Sequence, residues 1–354
     1  MIETLSRLRD AILILKKTAL NKKKMVLPST GGLSLSSIQT EFGGASPASM
    51  SEYYTNANPI YTNGVPGIPA INSSISLSMF YGKTRPIFGL LSNATVNSKV
   101  VIYGMKLYRT EYTGPIIKVR RSTDNILQDF YATTTGTITT SANGGGTSYA
   151  TWLGSATGYV TVWYDQSGNG SNVVQNTNSM QPTLTTAGKL VFNGSTQFLE
   201  KAYNSDVNTT NFTYIVSCKC YSPNDSYYQS PITTRGLGTG FTLYKMPDNY
   251  FYHWNGVGNG GWETMSTGVT CVANTVYNIA GQYNGSTINT IVNGTTASSS
   301  MAITLNTTHP FRIGAGATES TTGYFFWNGE ISTVMYFNTV ISTTDRDTIL
   351  ANTA

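Results

Sequence analysis

The chain has 354 residues, of which only 11% are charged, and its formal net charge is +5. So few charges, with abundant Gly, Ser, Thr and Asn, disfavour a helical enzyme and suit many short strands joined by turns. Residues 1–25 hold seven basic and two acidic residues, which is the whole of the excess. The body is neutral and offers no electrostatic reason to bind nucleic acid.

In residues 1–25, Leu5, Leu8, Ile12, Leu15 and Ala19 recur at alternating spacings of three and four. That spacing predicts a helix with one apolar seam. A seam so short is marginal alone. The leading reading is an anchor or oligomerisation helix. The alternatives are a helix on a membrane surface, a basic arm on nucleic acid, or a solvated terminal helix. Lys22-Lys23-Lys24 near its C-terminal end suits the helix dipole. No run reaches the roughly 18 apolar residues of a membrane span. Residues 11–15 are too short for a secretory signal.

Residues 26–99 change character. Pro28, Pro47, Pro59, Pro66 and Pro69 punctuate them. Two segments, 32–38 and 74–82, alternate apolar residues with Ser, and Ser51-Glu52-Tyr53-Tyr54 lies between them. The composition predicts an extended connector that gains order by lying on neighbours. Thr40-Glu41-Phe42-Gly43-Gly44, the Leu-Ser-Leu-Ser run and Ser-Glu-Tyr-Tyr together resemble a module of phage and giant-virus structural proteins.

From residue 100 to 354 the strand pattern is continuous. Strands are expected at 99–107, 116–120, 190–192, 198–199, 212–220, 241–245, 250–254, 276–283, 288–292, 311–314 and 325–337. Asn193-Gly194 and Asn293-Gly294 are hairpin signals. Residues 136–149 read as a mobile loop, and 342–351 as a short helix capped by Ser342. Around 159–165, Val160, Val162 and Tyr164 alternate with Thr161, Trp163 and Asp165, a period-two strand. Asp165-Gln166-Ser167-Gly168-Asn169-Gly170 then stops it in a tight turn. The plain reading is a well-made turn; the sharper one is a loop presenting polar groups to a sugar.

Trp163-Tyr164-Asp165-Gln166-Ser167-Gly168-Asn169-Gly170 is similar to a motif of the α-L-arabinofuranosidase B family. So is Leu107-Tyr108-Arg109-Thr110-Glu111-Tyr112-Thr113-Gly114-Pro115, followed by 118–125. The resemblance is firm over residues 100–200 and loose beyond. It implies an all-β, concanavalin-like antiparallel β-sandwich (jelly roll), here preceded by the N-terminal helix and extended connector. The order of later strands resembles laminin-G and concanavalin-type lectin domains and implies the same architecture. The motif pair also recurs in virion proteins of large DNA viruses and tailed phages.

A retaining glycosidase needs two carboxyl groups about 5 Å apart. The family's nucleophile run has only a rough counterpart at 258–265, where Glu263 is close but out of register. The family's proton-donor loop corresponds to 314–320, where Glu319 alone is at hand. The family's adjacent cysteine pair is missing. No catalytic residue is therefore assigned; were the domain active, Glu263 and Glu319 would be the pair. Sugar binding needs an aromatic platform and a few polar groups. Asp165, Tyr252, His253, Trp254, Asn255, Trp262, Trp327 and Asn328 are the candidates, placed in loops or strand ends. Burial of the tryptophans in the core is the competing reading. No cofactor is expected: a calcium ion needs converging oxygens, and no spacing compels one. Cys218, Cys220 and Cys271 show no zinc pattern and read as buried free thiols of a reducing cytosol.

The expected protein is a virion structural component made in the host cytoplasm: a head-decoration, minor capsid, spike or fibre subunit. Its partners would be other virion proteins, copies of itself, and host surface glycans. The alternative is an arabinofuranosidase-type glycoside hydrolase acting on polysaccharide.

Overall fold

The computed structural model describes residues 100–353 except 110, 111, 134, 223–226 and 318–322. Before them it describes 27, 29–42, 49–54, 68–69, 73–81, 83 and 91. The proposed anchor residues Leu5, Leu8, Ile12 and Leu15 lie outside the described residues. The chain divides into two compact units, 1–89 and 90–354.

In the first unit, Leu27, Ile38, Tyr53, Ile68 and Phe80 form a small buried cluster. Tyr53 and Phe80 meet edge to face at 5.8 Å. Leu27 N donates to Lys83 O at 3.2 Å. The described part is not extended, contrary to expectation. It holds the helix Leu35–Phe42 and the 3-10 turns Met50–Tyr53 and Leu77–Phe80. The serines explain the difference. Ser34 Oγ accepts from Ser37 N at 3.1 Å and caps the helix, a role Ser favours over strand interior.

In the second unit, 19 antiparallel strands among the described residues form one hydrogen-bonded sheet folded over on itself. In the front layer Phe212–Cys220 lies between Val276–Tyr283 and Asn328–Phe337. Val100–Gly104 flanks Asn328–Phe337. Thr287–Val292 and Thr295–Ser300 extend the other side. In the back layer Gly261–Thr270, Tyr250–Gly258, Phe241–Lys245, Gln229–Thr233, Phe311–Ile313 and Leu199–Lys201 follow in order. Val173–Val174 leads from there to Gly158–Trp163 and Ile117–Arg121.

The layers face each other across aromatic rings. Phe212 and Tyr214 in front stack on Phe241 behind at 5.0 and 5.2 Å, although their strands share no hydrogen bonds. Gly281 makes this possible. A β-carbon there would lie 2.3 Å from the Tyr214 ring. The terminal helix Thr343–Leu350 is present, with Ser342 Oγ accepting from Asp345 N at 3.1 Å. The 136–149 stretch is more ordered than expected. It contains the strand Ile138–Thr139 and leads into the helix Tyr149–Leu153.

Candidate functional site

The segments 107–115 and 163–170 are two halves of one clamp. Asp165 is 2% exposed. Its Oδ1 accepts from Ile102 N and Ser167 N, both at 2.9 Å. Its Oδ2 accepts from Ser167 Oγ at 2.6 Å and Ser171 N at 3.1 Å. Gln166 does the same for the upstream motif. Its Oε1 accepts from Tyr108 N at 2.9 Å, and its Nε2 donates to Lys106 O at 2.9 Å. Arg109 Nη1 donates to Ser167 O. Asp165 is therefore taken up by the fold and is corrected from the list of sugar-binding candidates: four donors fill a carboxylate that solvent does not reach.

The other candidates gather on a hairpin. Asn259 and Gly260 both have positive φ, +51° and +75°. They join Tyr250–Gly258 to Gly261–Thr270. The Asn-Gly pair is a hairpin signal that the sequence reading passed over; Trp254 and Trp262 stand on strands, not loops. Successive side chains point to opposite faces. His253 and Asn255 face the core and are fully buried. His253 Nδ1 pairs with Tyr214 Oη at 2.9 Å and Nε2 with Asn255 Oδ1 at 2.8 Å. Burial pushes the imidazole down to about 4, so it is neutral near pH 7. Trp327 is also fully buried, its Nε1 donating to Glu330 O at 3.2 Å. These three are corrected to structural residues: none presents a surface to a ligand.

The face turned away from the core carries the aromatic cluster. Trp254 meets Tyr244 at 5.5 Å and Tyr228 at 6.1 Å, both edge to face, and Trp262 at 6.0 Å. The Arg235 guanidinium lies 4.4 Å over the Trp262 ring, and its Nη1 donates to Tyr244 Oη at 2.9 Å. Phe325 meets Tyr228 at 5.3 Å and Tyr244 at 5.6 Å. Its φ is +52°, rare for a bulky residue and found where surroundings over-determine a conformation. Its carbonyl accepts from Ser230 N at 2.9 Å, which helps to hold it there. Tyr227, Tyr228, Tyr324, Phe325 and Phe326 line a cleft of about 230 Å³. Tyr227 is 68% and Tyr324 49% exposed. The sequence reading missed all five and Arg235. No motif in the sequence marks them.

Tyr252 is half-buried on this outward face, its hydroxyl donating to Asp248 Oδ2 at 2.8 Å. Asn328 is half-buried, and its backbone N donates to Gln229 Oε1 at 3.0 Å beside the cleft. Glu263 pairs with Asn255 and so points opposite to Trp262. Its Oε2 accepts from Ala302 N at 2.6 Å. Glu319 lies outside the described residues. Cys218, Cys220 and Cys271 are buried thiols rather than disulfides, and burial pushes the Cys218 thiol up. Among the described residues no cluster of His, Cys, Asp and Glu could hold a metal ion. Nor, among them, is any helix long and apolar enough to cross a membrane.

Residues 193–345 match the family described as the concanavalin A-like lectin/glucanases superfamily, of laminin-G type. The domain is concanavalin-like. A GH54 α-L-arabinofuranosidase soaked with a cyclic sulfate inhibitor aligns with a TM-score of 0.50 at 11% identity. That alignment covers 72% of this chain and 62% of that one. The CBM40 module of Ruminococcus gnavus IT-sialidase, bound to α2,3-sialyllactose, aligns with a TM-score of 0.38 at 16% identity. It covers 47% of this chain and 96% of the module. A heptameric SAP-like pentraxin from Limulus polyphemus aligns over 46% of this chain and 81% of its own, at 12% identity and a TM-score of 0.36. At 11% identity the likeness to the arabinofuranosidase is one of fold alone. No curated protein matches the chain by sequence.

Proposed function

We propose that the chain is a non-catalytic glycan-binding component of a virion surface: a head-decoration, minor capsid, spike or fibre subunit. The observation that carries the binding part is the outward aromatic face, with Arg235 laid on Trp262 at 4.4 Å. Ring faces of Trp262, Tyr227 and Tyr324 stack against the C–H faces of sugars, while Arg235 and main-chain groups bond hydroxyls. The concanavalin-like fold is a frame that suits such a face. The lack of catalysis is supported by Glu263, which faces away from the aromatic cluster and is bonded to Ala302 N. The virion part is supported by the paired motifs and by the serine- and proline-rich module before the domain. In this reading residues 1–25 dock on other virion proteins or on copies of the chain, through Leu5, Leu8, Ile12 and Leu15.

A glycan array probed with the full chain tests the binding part. Binding to defined saccharides that Trp254→Ala abolishes supports it; an array with no bound saccharide rejects it. Mass spectrometry of purified particles tests the virion part, and deletion of 1–25 tests the anchor. Hydrolysis of an aryl arabinofuranoside that is lost in Glu263→Gln would replace this reading with the glycosidase one.

A further inference from the structure

A second cleft, of about 260 Å³, shares no lining residue with the aromatic one. It lies where the chain leaving Val100–Gly104 passes the turns 133–137 and 185–189. Two cations line it, Lys106 and Lys189, with Ser332 and Thr333 among the remaining residues and no Asp or Glu among its described lining. Lys106 is half-buried and makes no ion pair among the described residues. Its Nζ lies 5.6 Å from the centre of the Tyr108 ring. Burial lowers its pKa, the mark of an ammonium that has lost water without gaining a counter-charge. A partly desolvated cation without an anion is costly unless something supplies one.

The cleft does not end there. An adjoining cleft of about 210 Å³ shares Gly136, Ala187 and Gly188 with it and continues past Thr137 and Ser148. Gly136 and Gly188 have φ of +86° and +72°, and their turns form the shared wall. A β-carbon on Gly188 would come within 3.0 Å of Ile138 Cδ1. The groove thus has a cationic end suited to an oxyanion and a hydroxyl-lined extension of about a sugar's size.

We propose that this groove binds an acidic saccharide, with its carboxylate or sulfate between Lys106 and Lys189 and its ring over Gly136 and Gly188. The site goes beyond the aromatic-face reading and uses none of its residues. The test is titration calorimetry on the full chain, at low and high salt. The probes are a glucuronic-acid disaccharide, a sulfated disaccharide, their neutral parent and inorganic sulfate. At least one charged disaccharide should bind about tenfold more tightly than the neutral parent, and salt should weaken it. The two charged arms tell carboxylate from sulfate. The double variant Lys106→Met, Lys189→Met keeps the apolar stems and should lose about tenfold in affinity. Trp262→Ala should leave this binding unchanged, even if the aromatic face proves to bind nothing. Equal affinity for the neutral parent, or undiminished binding in the lysine variant, overturns the proposal. Inorganic sulfate binding as tightly as the sulfated disaccharide would overturn its sugar part.

Discussion

The turn after Gly158–Trp163 and the hairpin of Tyr250–Gly258 with Gly261–Thr270 carry similar residues: tryptophan, tyrosine, asparagine, a carboxylate and paired glycines. The fold uses them differently. The turn spends its polar groups inward, on backbone donors and acceptors of the 102–109 segment. The hairpin divides its residues by parity. His253 and Asn255 serve the core, while Trp254 and Trp262 stand on the outer face. The 163–170 segment is therefore a structural clamp, and the outward aromatic surface lies elsewhere.

The largest expected effect is at the clamp. Asp165→Ala leaves the buried amides of Ile102, Ser167 and Ser171 without their acceptor and should cost about 3–5 kcal/mol. Denaturant unfolding measures it; a loss under about 1 kcal/mol would place the turn with the hairpin's outer face instead.

The next effect belongs to the inward side of the hairpin. His253 is held neutral, with its folded pKa near 4 against an ordinary value of 6.5. Between those values the unfolded chain binds the extra proton, so stability falls as pH drops from about 6.5 to about 4 and levels off below. The shift corresponds to about 3 kcal/mol for a fully buried group. Unfolding curves across that window should show the slope for the wild type and a weaker one for His253→Gln.

Smaller effects mark the boundary between the faces. Glu263→Gln keeps an acceptor for Ala302 N and should cost under about 1 kcal/mol, with saccharide affinity unchanged. A loss of affinity would put that carboxylate in the binding face. Tyr252→Phe removes one exposed hydroxyl contact with Asp248 and should shift stability by about 0.5 kcal/mol or less.

Much of the β-architecture was legible because its strands alternate cleanly and its turns carry Asn-Gly. Phe212–Cys220, Phe241–Lys245 and Val276–Tyr283 have the bounds that their patterns predict. Thr295–Ser300 was not legible: it is a polar strand at the sheet's end, with no apolar face to betray it. Nor was the register shift where Gly158–Trp163 pairs with Ile117–Arg121. It leaves both Val160 and Trp163 buried, which strict alternation forbids. The candidate site was only partly legible. The sequence singles out aromatic residues near 252–262, but proximity in sequence could not say that neighbours face opposite ways. Tyr228, Arg235, Tyr244 and Phe325 come from other strands and loops and meet there only through folding.

The central claim is that the outward aromatic face holds saccharide while the clamp and the inward face only hold the fold. Titration calorimetry of wild type and Trp262→Ala, with a saccharide the wild type binds, addresses it most directly. We predict a loss of about tenfold or more in affinity, with the urea midpoint unchanged. Unchanged affinity in a variant that folds normally would contradict it.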